Sequence, residues 1–259
     1  MAVLALTSCS GSPGVTTLAV GLALSWPRAV LLADCDPSAH QAVLAGYLAG
    51  RSANGKGLLR VAEAHRDRRP LREVVIDQCL PLAEQGSHRR LFLPGFARPT
   101  SAGHFGAVWE ELSDAFDRLD EVDIDVIVDL GRIGPLGLPP ALLERTALTG
   151  VVLTSNLRSV MSARLNLPAV TDGQDARGRD RLGLVLVDEG RPYGASEISR
   201  ALGVPVVASV PRDVESASHF SDGTPQGRKF ESAPLVRGVR AAASTLAAAL
   251  QRSADLVRG

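Results

Sequence analysis

The feature of this chain that most limits its fold is a series of short apolar runs with almost no polar interruption. They occupy residues 2–7, 29–33, 90–93, 125–129, 150–154, 182–187 and 205–209. A strand with one wet face alternates polar and apolar side chains, whereas a continuous Val/Leu/Ile run suits a strand covered on both faces of a parallel sheet. Helical patterns separate the runs, at 16–25, 39–49, 58–65, 105–119, 140–146, 159–167, 196–202 and 233–256. In the fourth, Phe105, Val108, Trp109, Leu112, Phe116 and Leu119 recur at three-to-four spacing with acidic residues between them. This alternation predicts an α/β fold, a doubly wound, mostly parallel sheet with helices on both faces. It continues to the last helix without a long linker, which predicts a single domain over 1–259. The polar, glycine-containing stretches 171–181 and 220–229 predict surface loops. In the tail, Leu235, Val239, Leu246, Leu250 and Val257 form an alanine-rich stripe without aromatics or a lysine cluster. Such a stripe predicts packing on the sheet rather than insertion into a membrane surface.

With 259 residues, 45% of them hydrophobic, the chain can bury a large core. Its 28 basic and 28 acidic side chains give a formal net charge of +0. Without a global positive field, binding to nucleic acid is not expected, and any membrane contact should be weak or indirect. Lysine is nearly absent: Lys56 and Lys229 are the only two, and the other basic side chains are arginine. Cys9, Cys35 and Cys79 lack metal-ligand spacing and read as buried thiols of a reducing compartment; for Cys9 and Cys35, which both fall at strand ends, a redox pair is the competing reading. His40, His65, His88, His104 and His219 include no i, i+4 pair, so no metal site is expected from them. The amino terminus lacks a basic leader and no window reaches the length of a membrane span, which predicts a cytoplasmic location, at most peripheral to a membrane through partners.

The chemistry-bearing segment is 8–17, SCSGSPGVTT, which lies between the first apolar run and the first helical pattern. A glycine-containing loop leading from a buried strand into a helix gathers backbone N–H groups at one point, which suits an anion. Gly11 and Gly14 permit left-handed backbone, Thr16 can offer a hydroxyl to magnesium and Thr17 one to a phosphate oxygen. Against the phosphate-loop pattern G-x-x-x-x-G-K-[ST], Val15 stands at the lysine position, so a plain structural turn is the competing reading. Asp36, beside Pro37, reads either as a functional carboxylate or as a turn former with Ser38. Asp34 shares this ambiguity. Asp129 ends the run VIVD, where a carboxylate either serves a metal through water or caps the next loop. Asp125 reads as a solvated residue at a strand start, and the arginine-rich stretch 60–72 as a solvated face.

These segments together resemble the ParA/MinD family of P-loop ATPases (the SIMIBI class), whose deviant Walker A loop reads K-G-G-x-G-K-[ST]-T. Gly11, Gly14, Thr16 and Thr17 match it. LLADCDPS (31–38) is similar to the family's D-x-D-P segment, LFLPG (91–95) to the strand before switch II, and DVIVDLG (125–131) to the Walker B strand. VVLTSNLRSVMSA (151–163) is similar to the next strand and helix, and LGVPVVASVPRD (202–213) to a segment beside the base site. The resemblance implies ATP or ADP with magnesium held by Gly11, Ser12, Gly14, Val15, Thr16 and Thr17, with Thr16, Asp36 and Asp129 toward the metal and Asp36 near the attacking water.

The departures shape the expected activity. Ser10 replaces the signature lysine that in the family reaches across a dimer, Ser12 a glycine, and Val15 the phosphate-gripping lysine. No asparagine stands near Val187 or Asp188, where the family reads adenine. The lysine-less loop resembles the divergent pilus- or secretion-associated members of the TadZ/CpaE type more than the DNA-partitioning ones. The expectation is a nucleotide-binding switch or scaffold that hydrolyses weakly or not at all, recruits protein partners in a pilus, secretion or division machine, and could form a homodimer. The alternatives are an active MinD-like ATPase, with an arginine supplied in trans, and a DNA-partitioning ParA-like protein.

Overall fold

The structure is a computed structural model that describes the chain except residues 1–2, 11–13, 85, 104, 135–136, 172–177, 179 and 259, with 253–258 described by backbone alone. Eight strands form one sheet: β1 (Val3–Ser8), β2 (Ala29–Asp34), β3 (Leu80–Pro81), β4 (Arg90–Leu93), β5 (Ile124–Arg132), β6 (Leu148–Thr154), β7 (Leu182–Val187) and β8 (Val206–Val210). Their order is β3-β4-β2-β5-β1-β6-β7-β8, and only the two-residue β3 runs antiparallel to its neighbour.

The unbroken apolar runs are explained by two hydrophobic layers. Side chains alternate across the sheet: Val3 and Ala5 of β1, Leu31 and Ala33 of β2, and Val126 and Val128 of β5 enter one layer. Leu4 and Leu6, Val30 and Leu32, and Ile127 enter the other. The first layer is closed by α2 (Leu58–Arg66), α3 (Leu71–Val74), α5 (Gly106–Arg118), α6 (Pro140–Glu144), α7 (Leu157–Asn166) and α9 (Ala195–Leu202). The second is closed by α1 (Val15–Ser25), α10 (Val214–Asp222) and α11 (Pro234–Arg258). Two single turns, α4 (Pro99–Ala102) and α8 (Pro168–Thr171), complete the described helices. The helix α11 docks as expected, with Leu235, Val239, Leu246 and Leu250 buried in the second layer.

Several expectations are corrected. The 39–49 pattern does not form one helix. Ala39 and Gln41 adopt left-handed backbone, and only Val43–Tyr47 closes a π-type turn. The reason is a close approach: a Cβ on Gly46 would lie 1.9 Å from the Ser221 carbonyl oxygen, so this segment is shaped by α10. The start of the 220–229 stretch is helical, because Phe220 is buried and α10 continues to Asp222. That helix starts where Asp213 accepts the Ser216 N–H at 3.2 Å. Asp125 is fully buried rather than solvated. It accepts from Trp26 Nε1 at 2.7 Å and Arg28 Nε at 3.0 Å, and pairs with the same guanidinium through its other oxygen. Much of the predicted 171–181 loop lies outside the described residues. The arginines of the 60–72 stretch are exposed, as expected.

Candidate functional site

The strand β1 lies between β5 and β6, where the order of strand addition changes direction. In an open parallel sheet this is where a crevice opens beyond the carboxyl ends of the strands. Three of those ends carry the sequence candidates: the 8–17 loop follows β1, Asp34 closes β2 with Asp36 just beyond, and Asp129 lies near the end of β5. Gly11 and Ser12 lie outside the described residues. Gly14 has φ +85° and precedes α1 directly, its carbonyl accepting from the Leu18 N–H at 2.8 Å. The first N–H groups of α1 therefore have no partner within the helix. The near arm of the loop is tied to α7: the Ser10 and Ser159 hydroxyls are 3.0 Å apart, and Ser162 donates to the Cys9 carbonyl at 2.6 Å.

A cavity of about 600 Å³ opens here. Its wall brings together Gly14, Val15, Thr16 and Thr17 from the start of α1, Asp36 and Ser38 from beyond β2, and Gly131 from β5. Ser8, His40 and Arg132 complete the described lining, and neither His40 nor Arg132 was a sequence candidate. A second, more apolar cavity of about 300 Å³ adjoins it, sharing Gly14 and Thr17 and reaching Val187, Val210, Pro211 and Asp213. This is the region of the 202–213 segment singled out in the sequence. Asp188, at the expected base-reading position, adopts φ +62° and is absent from the lining of both cavities.

The carboxylates are held close together. The Asp36 N–H donates to Asp34 Oδ1 at 3.2 Å, the Ser38 N–H to Asp36 Oδ1 at 2.8 Å, and the Gly131 N–H to Asp129 Oδ1 at 2.9 Å. Gly131, at φ +62°, leaves room for Asp36, because a Cβ there would lie 2.3 Å from the Asp36 Cγ. Gly95 does the same for Asp34, whose Cγ would be 2.6 Å away. Burial, reinforced by the nearby Asp129, pushes the Asp34 carboxyl up to about 8. Burial also pushes Asp129 up to about 6, against hydrogen bonds from Thr16 and the Gly131 N–H. Asp129 thus lies beside Thr16 at the start of α1. Among the described residues no group of three His, Cys, Asp or Glu forms a metal cage of its own.

Neither lysine lines either cavity. Lys56 Nζ donates to the Cys79 carbonyl at 3.2 Å, and Lys229 precedes the turn Phe230–Ser232. Val15 is buried in the second layer. All three cysteines are buried and free. Burial raises Cys9 to about 11 and Cys79 to about 12, and holds Cys35 well above the ordinary thiol value, which disfavours the reactive thiolate.

The chain matches solved structures over nearly its whole length. The ParA family ATPase from Chlorobium tepidum superposes with a TM-score of 0.70 at 19% identity, covering 93% of this chain and 98% of that one. The fold is that of the ParA and MinD ATPases. The MinC:MinD cell division complex from Aquifex aeolicus gives a TM-score of 0.67 at 15% identity, covering 95% and 96%. MinD of Pyrococcus horikoshii, solved with Mg-ADP, gives 0.62 at 17% identity, covering 93% of each chain. No family model and no curated protein matches the sequence. At these identities the likeness to ParA and MinD is one of fold. Among the described residues no helix is long and apolar enough to cross a membrane.

Proposed function

We propose that this chain is a nucleotide-binding switch or scaffold of ParA/MinD type whose hydrolysis is lost or strongly reduced, and that as one domain it positions or regulates a partner machine of pilus, secretion or division type. The carrying observation is the pair of adjoining cavities that meet at Gly14 and Thr17: one polar and walled by the start of α1 and Asp36, the other mostly apolar. That division suits a ligand with a charged phosphate end and a flat apolar end. The residues present fit ATP or ADP with magnesium. Gly14, Val15, Thr16 and Thr17 offer backbone N–H groups and hydroxyls to phosphate oxygens, and the loop is expected to extend this nest through Gly11 and Ser12. Thr16, Asp36 and Asp129 would hold the metal, partly through water, as suits an ion that keeps several waters. The ion would neutralise phosphate charge and favour ionised Asp129. Pyrococcus horikoshii MinD was solved with Mg-ADP and Aquifex aeolicus MinD with MinC, which supports a nucleotide and a protein partner here.

Loss of turnover follows from the missing charge. A charge-assisted hydrogen bond to phosphate contributes roughly 1.5–3 kcal/mol, and charge that develops in the transition state makes such a donor worth more to rate than to binding. Val15 supplies none of this. Calorimetric titration with ADP and ATP in the presence of magnesium should show binding, and a steady-state phosphate-release assay should show turnover far below that of lysine-bearing ParA and MinD enzymes. Release at their rates, abolished by Asp36→Ala, refutes the loss of hydrolysis. Absence of any binding refutes the nucleotide reading.

A further inference from the structure

We propose that Arg132 supplies, within the same chain, positive charge for binding the terminal phosphates, without replacing the loop lysine's part in turnover. This rests on the nucleotide reading above and adds a binding residue to it.

The first observation is one of register. Along β1 and β5, Leu6 pairs with Asp129, but Ser8 pairs with Arg132. An unslipped ladder would set Gly131 opposite Ser8. One extra residue of β5 is therefore accommodated here, where Gly131 adopts φ +62°. Side chains alternate along a strand, so in a regular β5 Gly131 would share the face of Asp129. The slip gives that place to Arg132, and irregularities of this kind re-aim a side chain beside a site. Asp129 faces Thr16 at the start of α1, and Arg132 lines the polar cavity together with Thr16 and Thr17. The Ile133 N–H donates to the Ser8 carbonyl at 2.9 Å, fixing the backbone beyond the slip.

The second observation is one of charge. Asp36 lines this cavity, and Asp34 and Asp129 lie close behind it. A nucleoside di- or triphosphate brings several more negative charges. Among the described lining residues Arg132 is the one permanently charged cation, His40 being the other basic side chain. Both lysines are elsewhere. The guanidinium of Arg132 is exposed and makes no ion pair or hydrogen bond among the described residues, so its donors are free for a ligand. A planar fork of N–H donors suits two phosphate oxygens at once. The charge would thus come from the end of β5 rather than from the loop, and from the same chain rather than in trans.

The test is titration of wild type, Arg132→Ala and Arg132→Lys with Mg-ADP, adenosine and inorganic pyrophosphate with magnesium. Arg132 is exposed, so thermal melts of the variants should match the wild type. The expected result is that Arg132→Ala weakens Mg-ADP and pyrophosphate roughly ten- to a hundredfold, the scale of a charged phosphate contact, while adenosine binding is unchanged. Arg132→Lys should recover part of the loss and should bind less tightly than wild type. Equal Mg-ADP affinity in wild type and Arg132→Ala overturns the assignment of Arg132 and leaves the nucleotide reading standing. An equal loss for adenosine and Mg-ADP overturns it as well, because the residue would then act on the cavity as a whole. A wild-type chain that binds none of the three ligands overturns both.

Discussion

Replacing Asp34 by Asn should make this protein progressively more stable than its parent as pH rises. Asp34 is buried at the end of β2, one oxygen accepting the Asp36 N–H at 3.2 Å and the carboxyl lying against Gly95. Burial and the neighbouring Asp129 raise it from the ordinary carboxyl value of 3.8 to about 8. Between those two values the folded chain keeps a proton that the unfolded chain has lost. Stability therefore falls as pH rises through this window and levels off above it. One proton contributes about 1.4 kcal/mol per pH unit, so Asp34 alone removes roughly 3 kcal/mol between pH 5 and 7. An asparagine keeps the acceptor for the Asp36 N–H, places an amide where the protonated oxygen was, and does not titrate. Asp129 is little affected by the exchange below pH 7, because Asp34 is already largely neutral there. Urea unfolding of both proteins, without nucleotide or magnesium, at pH 5, 6, 7 and 8 and constant ionic strength, isolates the group by difference. The stability of the variant minus that of the parent should widen by roughly 3 kcal/mol from pH 5 to 7. A difference that stays constant, or that shrinks with rising pH, refutes the reasoning.

Val15→Lys should tighten Mg-ADP binding by roughly 1.5–3 kcal/mol, measured by calorimetry, because it returns a charged donor to the start of α1. Val15 is 6% exposed within the second layer, so the same variant should melt several degrees lower. Gly131→Ala places a Cβ 2.3 Å from the Asp36 Cγ at φ +62°, and should cost about 2–3 kcal/mol in denaturant unfolding while weakening Mg-ADP binding. Duplex DNA should not be retarded by micromolar protein at about 150 mM salt in a mobility assay, since the formal charge is +0; tight binding with a steep salt slope would favour the partitioning alternative.

The strands were legible because burial on both faces leaves a local mark. The runs at 90–93 and 182–187 match β4 and β7 residue for residue, and the other five fall within two residues of an observed strand except at the extended ends of β5. The loop before α1 was legible for a similar reason, since a strand, glycines and hydroxyl residues in that order leave few local structures open. The segment Val214–Asp222 was not, because VESASHFSD carries no strong apolar period and is held by Asp213 and by the burial of Phe220. Asp125 was misread because the partners that bury it, Trp26 and Arg28, come from about a hundred residues away.

The sequence by itself determined the layered α/β architecture, the place of the loop and the absence of lysine from it, all properties of neighbouring residues or of composition. Only the tertiary structure decided which carboxylates meet, that burial pushes the Asp34 carboxyl upward, and that Arg132 reaches the cavity. These depend on strand order and register: β2, β1 and β5 are distant in the chain but adjacent at their carboxyl ends. A single-residue slip opposite Ser8 changes which side chain of β5 faces α1. Local propensity carries no information about such a slip, because its energy comes from contacts between segments that the chain brings together only on folding.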